Sequence, residues 1–231
     1  MKNGFRDGIV DGIPIFLGYI TVAITFGILS KNVGITMVDS ILFSVLVFAG
    51  ASQFIALNLL LLGVGVGEIV LTTLLVNFRH FLMSASLATK MTKDMKRWSP
   101  LIAFGVTDEV FSVASFKKGP ITRKYILSLE FVAYTAWVSG TIIGYLVGGI
   151  LPDMVRDSMG IALYAMFAAI LIPEVKKSGR GVILVCLSGA VNTLCQYFFA
   201  FPQGWSIVIS IVIVSSIGLF FFGKEVVEEH E

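Results

Sequence analysis

Apolar runs dominate the chain, and charged or turn-forming residues divide them into eight segments at about 12–30, 40–62, 68–89, 99–116, 125–149, 158–173, 181–200 and 205–223. A helix crossing the roughly 30 Å hydrocarbon layer needs about 20 apolar residues. Most segments meet that length, and 99–116 and 158–173 fall shortest. The last two segments are separated only by Phe201, Pro202, Gln203, Gly204 and Trp205, a turn carrying a Trp suited to the membrane interface, which predicts an antiparallel helical hairpin. The expected architecture is all-α: one membrane domain over 1–231, built as a polytopic integral-membrane bundle of about seven transmembrane helices plus a re-entrant or tilted segment at 99–116.

Composition sharpens this. Of 231 residues, 56% are hydrophobic and 14% charged, about half the charge of a soluble domain, and mean hydropathy is +0.91. A water-soluble globule is excluded. The 17 basic and 15 acidic residues nearly cancel and form short clusters between apolar runs, unlike a nucleic-acid surface. No GxxxxGK[ST] phosphate loop is present, and the glycine run Gly63–Gly67 does not fit a dinucleotide fingerprint, so ATP hydrolysis within the chain is excluded. Cys186 and Cys195 share one apolar helix at a spacing too long to bridge. Asp7 and Asp11 interrupt the stretch after Lys2 and Arg6, which argues against a cleaved signal peptide.

Lysines and arginines set orientation. The heavy clusters are Lys90, Lys93, Lys96 and Arg97, then Lys117, Lys118, Arg123 and Lys124, then Lys176, Lys177 and Arg180. The first two flank 99–116, so a crossing there would put one of them outside. Seven crossings with an external amino terminus leave only Lys2, Arg6 and Arg156 outside. A six-crossing scheme with an internal terminus scores as well on charge but requires 40–62 not to span, and seven crossings are the preferred expectation. Short echoes recur in order: Gly27-Ile28-Leu29 with Gly149-Ile150-Leu151, Val47-Phe48-Ala49 with Met166-Phe167-Ala168, and Val76-Asn77 with Val191-Asn192. They suggest a three-helix repeat over 12–90 and 125–200, inverted under seven crossings, as in many secondary transporters.

Polar groups at membrane depth need a reason, because each costs roughly 2.5–3.5 kcal/mol at a helix centre. Gly50-Ala51-Ser52-Gln53-Phe54 interrupts an apolar run, where Gly, Ser and Gln either open the backbone toward a cavity or pack helices closely. Asn77, Arg79 and His80 lie near the middle of the third segment, and Asp108 and Glu109 near the middle of the fourth. A buried Arg79–carboxylate pair is the natural arrangement, leaving one acid and His80 to bind a proton or an ammonium group. A zinc site from His80, Asp108 and Glu109 has no ligand-spacing motif behind it. Gly140, Gly144 and Gly148 line one helix face suited to close contact. Glu130 and Glu68 sit near segment ends, where they can snorkel, and Asn192 and Gln196 fall one turn apart.

Three runs carry a family resemblance: Phe48-Ala49-Gly50-Ala51-Ser52-Gln53-Phe54, Asn77-Phe78-Arg79-His80-Phe81-Leu82-Met83, and Thr107-Asp108-Glu109-Val110-Phe111. With Gly8, Gly12, Pro14, Gly18, Phe26 and Gly27 they resemble the AzlC-type branched-chain amino acid permeases from near the amino terminus to about residue 115. The resemblance implies a multi-pass transporter of a prokaryotic cytoplasmic membrane that usually exports leucine, isoleucine and valine together with a small AzlD-type membrane subunit. Phe48, Gly50, Ser52, Gln53, Phe54, Asn77 and Asn192 are the expected substrate-lining residues. Arg79, His80, Asp108 and Glu109 form the expected charge and proton network, with no cofactor. The competing readings are transport of other small organic solutes, an intramembrane enzyme using His80 and Asp108, and a non-transporting assembly subunit. An enzyme would need a nucleophile or metal cluster facing water, and an assembly subunit has no use for three charges at midplane depth.

Overall fold

A computed structural model of the chain describes residues 4–117, 121–150, 172, 179–198 and 203–228. Among the described residues the regular structure is helical, apart from a single extended bridge between Met91 and Ile121. The helices are α1 (Phe5–Asn32), α2 (Met37–Leu42) running into a π-helical turn (Phe43–Val47), α3 (Gly50–Leu61), α4 (Val66–Ala88), α5 (Ser99–Gly105) after a 3-10 turn (Lys93–Trp98), α6 (Asp108–Phe116), α7 (Arg123–Val147), α8 (Gly179–Tyr197) and α9 (Gln203–Glu228). Among the described residues three helices are long and apolar enough to cross a membrane: Phe5–Val33, Val66–Ala88 and Arg123–Val147. Segment 158–173 apart from Ile172, the echoes at Leu151 and Met166–Ala168, and Arg156 lie outside the described residues.

The chain forms two compact units, Met1–Leu57 with Val76–Leu163 and Asn58–Leu75 with Tyr164–Glu231. In the second, Gln196 Nε2 donates to Ser206 Oγ at 3.2 Å, while Leu184 packs on Gly218. As residue numbers rise along α8 they fall along α9, so these two helices form the expected antiparallel hairpin. Cys186 and Cys195 are both unbridged.

The first unit is organised by α1 and α7. Gly8 faces Tyr125 and Ser128, Gly12 faces Val132, Gly140 faces Ile20 and Ala23, Gly144 faces Ile24, and Gly148 faces Ile28. Numbers rise together along both helices, so α1 and α7 run parallel. Their backbones nearly touch: a Cβ on Gly27 would stand 2.6 Å from the Tyr145 nitrogen, and one on Gly144 2.7 Å from the Ile24 carbonyl carbon. The glycine face expected on α7 is therefore a close helix contact, filled by α1 of the same chain. This parallel sense corrects the seven-crossing scheme, in which 12–30 and 125–149 run in opposite directions, and with it the inverted relation of those two segments.

The physical cause is that 40–62 doubles back. Its descending arm, α2 and the π-turn, starts where the Tyr145 hydroxyl donates to the Ile35 carbonyl and passes Thr141, whose Oγ1 lies 2.7 Å from Ser44 Oγ. Phe48 then takes a left-handed conformation at φ 43°, ψ 44°, rare for a bulky residue, and α3 returns. Gln53 Nε2 donates to Ser44 Oγ at 3.3 Å. In one straight helix, residues nine apart lie about 13.5 Å apart along the axis and on opposite faces, so this bond requires the reversal. Phe26 of α1 fills the space between the arms, against Phe43 and Phe54.

Segment 99–116 makes a second hairpin from the other end of α7. Trp98 at its start stacks under the Arg123 guanidinium, while Lys90 Nζ donates to the Ser115 carbonyl and Lys117 pairs with Asp11 at 2.6 Å near its close. Both ends thus lie at the Arg123 end. Pro100 opens α5, Gly105 ends it, and Thr107 caps α6 by accepting from the Val110 amide. The segment doubles back here, with a break at Val106–Thr107.

Adding one methyl at the α1–α7 seam therefore forces the two backbones apart. Gly144→Ala should lower thermal stability in mild detergent by roughly 1–3 kcal/mol. Gly18→Ala, where a Cβ meets nothing within 4 Å, should be neutral or slightly stabilising, and equal melting shifts for the two would contradict the seam.

Candidate functional site

The turns of the two hairpins meet beside the middle of α1 and α7. Phe48, at the first turn, lies 6.1 Å from Phe104 at the second, ring centre to ring centre, and 5.1 Å from Tyr134 of α7. Tyr19 of α1 stands edge-on to Phe48 and to Trp137, at 6.4 and 5.5 Å. Gly50 is required here, because a Cβ would stand 2.7 Å from the Trp137 ring. Five aromatic side chains, Tyr19, Phe48, Phe104, Tyr134 and Trp137, thus wall the place where both chains turn. The strain of the left-handed Phe48, on the order of 1–3 kcal/mol, is held by this packing, in which Phe48 is buried.

Polar groups lie on the same spot. Tyr19 donates its phenolic proton to the Glu109 carboxylate, and its oxygen lies 2.7 Å from Thr107 Oγ1. Asp108 pairs with Arg79 Nη1 at 2.8 Å. Of the two acids considered as partners for Arg79, Asp108 takes the arginine, and Glu109 is left with a hydroxyl as its partner. The pair is less buried than expected: its side chains are 40% and 46% exposed on the isolated chain, because α4 presents most of its surface outward. Val66, Val70, Leu74, Phe78 and Phe81 make an exposed stripe along that helix. The Arg79 Nε, by contrast, is buried without a hydrogen-bond partner among the described residues.

Two helices also point their amino-terminal ends at this spot. The first turn of α6 carries Asp108 and Glu109, so its positive end is already matched. The first turn of α3 carries no acid, and the amides of Gly50, Ala51 and Ser52 precede its first intrahelical bond, Gln53 N to Ala49 O at 3.0 Å. Free amides plus the aligned peptide dipoles make such an end a ready seat for an anion.

Other expected residues are placed differently. The backbone opens at Phe48–Ala49, just before the expected Gly50–Gln53; Ser52 and Gln53 are inside α3 and buried, since Gly50 serves as a start of helix and not as a gap. Ser52 bonds the Ala49 carbonyl at 2.9 Å, and Gln53 ties the two arms together, with its Oε1 buried and unpartnered. Phe54 packs on Phe26, away from the turns. Asn77 and Asn192 each hold a buried, unpartnered Oδ1, the latter in the second unit. His80 is half-buried on α4 beside Arg79. No group of three or more His, Cys, Asp or Glu among the described residues is arranged to hold a metal ion. Glu130, expected to snorkel, is instead buried.

Tyr19, Phe104, Tyr134 and Trp137 are not among the residues expected at this site. Tyr19 is a hydroxyl within an apolar helix, the only signal its sequence context offers.

The family described as AzlC protein matches residues 14–151, more than half of the chain and all the elements that build this site. The chain belongs to the AzlC family. Its relatives are named as membrane proteins. An uncharacterized membrane protein of Archaeoglobus fulgidus is 36% identical over 81% of this chain and 82% of its own length. Inner membrane protein YgaZ of Escherichia coli is 32% identical over 81% and 80%, and the branched-chain amino acid transport protein AzlC of Bacillus subtilis 29% identical over 76% and 70%. No solved structure matches the chain. The three motifs behind the family resemblance fall at the first turn, on α4 and at the second turn.

For an ion pair this exposed, the coupling in detergent should be small, about 0.5–1 kcal/mol in a cycle of Arg79→Ala, Asp108→Asn and the double variant. In the bilayer, Arg79→Ala should reduce accumulation more than the double change does, since the single change strands a charge. Accumulation of the double variant no better than that of Arg79→Ala would dismiss the pair as a stabilising contact.

Proposed function

We propose that this chain is a secondary transporter that exports branched-chain amino acids, leucine, isoleucine and valine, across the cytoplasmic membrane of a prokaryote. It is driven by protons and acts with a small AzlD-type membrane subunit. The observation that carries the reading is the meeting of two hairpins at an aromatic-walled polar cluster, an arrangement of broken helices that at membrane depth is tolerated only around a cavity or within protein. A zwitterion with a branched tail needs three things there. The acid-free amino-terminal turn of α3 would receive the carboxylate, Glu109 the ammonium group, and Phe48, Phe104, Tyr134 and Trp137 the tail. With Arg79 held by Asp108, the α3 amides are the anion seat that remains. The name of the Bacillus subtilis relative supports the substrate class.

The same reading proposes six crossings: α1, α4 and α7, the apolar segment 158–173 counted from its sequence, α8 and α9. The amino terminus is cytoplasmic. Lys2, Arg6 and the clusters at Lys90–Arg97, Lys117–Lys124 and Lys176–Arg180 then share the cytoplasmic side, leaving Lys31 and Arg156 outside. The partner subunit is supported by the exposed Arg79–Asp108 pair, since neither charge tolerates bare hydrocarbon. His80 stands beside that pair as a proton acceptor in the transport cycle.

In cells expressing the chain with its small partner, efflux of labelled leucine, isoleucine and valine should exceed that of a panel of polar and acidic amino acids. Glu109→Gln should reduce it by about tenfold or more, the loss of one charged contact, while accumulation stays near normal. Equal efflux for Glu109→Gln and wild type would remove Glu109 from the substrate path. For orientation, a cysteine at Ile150 should react with an impermeant external thiol reagent in intact cells. Cysteines at Arg6 and Lys96 should not, and labelling of Lys96→Cys from outside would reverse the scheme.

A further inference from the structure

Glu130 is an acid that the amino acid site does not use. It sits two turns into α7 and is 5% exposed, and its side chain lies flat on Gly105, the last residue of α5. A Cβ there would stand 2.7 Å from both Glu130 Cγ and Oε2. Its Oε1 is buried with no hydrogen-bond partner. The charged and titratable groups around it are engaged elsewhere. On α7, Arg123 stacks on Trp98 and Tyr134 donates to the Val45 carbonyl. On α1, Asp11 is held by Lys117 and Tyr125, and Tyr19 by Glu109. On α6 and α4, Asp108 and Arg79 hold each other. Among the described residues Glu130 makes no salt bridge.

We propose that Glu130 is a proton-binding site that couples proton movement to the hairpin of α5 and α6. With its proton on, the carboxyl is neutral and rests against Gly105 at the carboxyl-terminal end of α5. Without it, a bare carboxylate lies in a dry site beside the negative end of that helix and is repelled by it. Loss of the proton to water therefore pushes Gly105 away. Gly105 is two residues from Thr107, whose hydroxyl meets Tyr19, and four from Glu109, so the charge on Glu130 shifts the groups proposed to hold the substrate ammonium. The step breaks one O–H bond and hands one proton to water. The glycine is what permits it, since any side chain at 105 would displace the carboxyl.

The role in coupling rests on the transport reading, but proton binding does not, and the tests separate the two. A hydrophobic carbodiimide, which modifies protonated carboxyls in apolar surroundings, should label Glu130 in the full-length protein in membranes, read by mass spectrometry. The labelling should decline from acidic to alkaline pH. Absence of label at every pH, or label that does not change with pH, would overturn the site. In proteoliposomes containing the partner subunit, Glu130→Gln should cut leucine flux driven by a pH gradient by at least about tenfold while counterflow exchange, which needs no net proton movement, stays within about twofold of wild type. Gradient-driven flux equal to wild type would overturn the coupling role. If Glu130→Gln does not accumulate, Glu130→Asp decides: it should keep the gradient response, and losing it while retaining the label would overturn coupling. Should the wild type label normally but move no branched-chain amino acid, the substrate reading fails and the proton site stands.

Discussion

Gly27 and Gly144 bring two helix backbones to within contact, and the first unit depends on that approach. Because α1 and α7 lie so close and run parallel, the two hairpins can be anchored at opposite ends of the same helix pair. Tyr145 and Thr141 hold the first hairpin at one end, while Arg123, Tyr125 and Asp11 hold the second at the other. Helices separated by ordinary side chains would stand about 8–10 Å apart. They could not offer one continuous wall from Tyr19 to Trp137 to both turns.

The turns themselves answer the strictest rule of the hydrocarbon layer, that backbone amides and carbonyls need partners. Here the broken segments are enclosed. Ala49 and Phe48 are buried, and Thr107 closes the start of α6 with its own hydroxyl. Several buried side-chain atoms nonetheless lack a partner among the described residues, including Gln53 Oε1, Arg79 Nε, Trp137 Nε1 and Glu130 Oε1. Of these, Glu130 is the group for which a role in proton binding is proposed.

Arg79 shows how a charge at membrane depth is managed. Its partner is Asp108, at the positive end of α6, so the carboxylate is stabilised both by the guanidinium and by the helix end. The pair still faces outward on α4. A lone chain in lipid would expose two charges to hydrocarbon, which is costly for each of them.

Much was legible before any coordinates. The membrane class followed from composition, and the doubling back of 99–116 from basic clusters on both flanks, because charge is excluded from the bilayer however the chain folds. The close glycine face of α7 and the pairing of Arg79 with a carboxylate followed from residue type and depth. The pieces of 99–116 even carry local signals, Pro100 to start, Gly105 to stop and Thr107 to start again. The reversal at Phe48 was not legible in the same way. Nothing in Val47-Phe48-Ala49 marks a turn, since a left-handed Phe is disfavoured locally and exists only because Tyr19, Phe104 and Tyr134 pack around its ring. That one residue decides whether 40–62 runs straight on or doubles back, hence whether α1 and α7 run together or opposed. Tyr19 on Glu109 and Glu130 on Gly105 are likewise contacts between residues far apart in the chain. Periodicity and charge counting report the solvent each segment needs, and only packing between distant segments decides which way the chain runs and which polar groups meet.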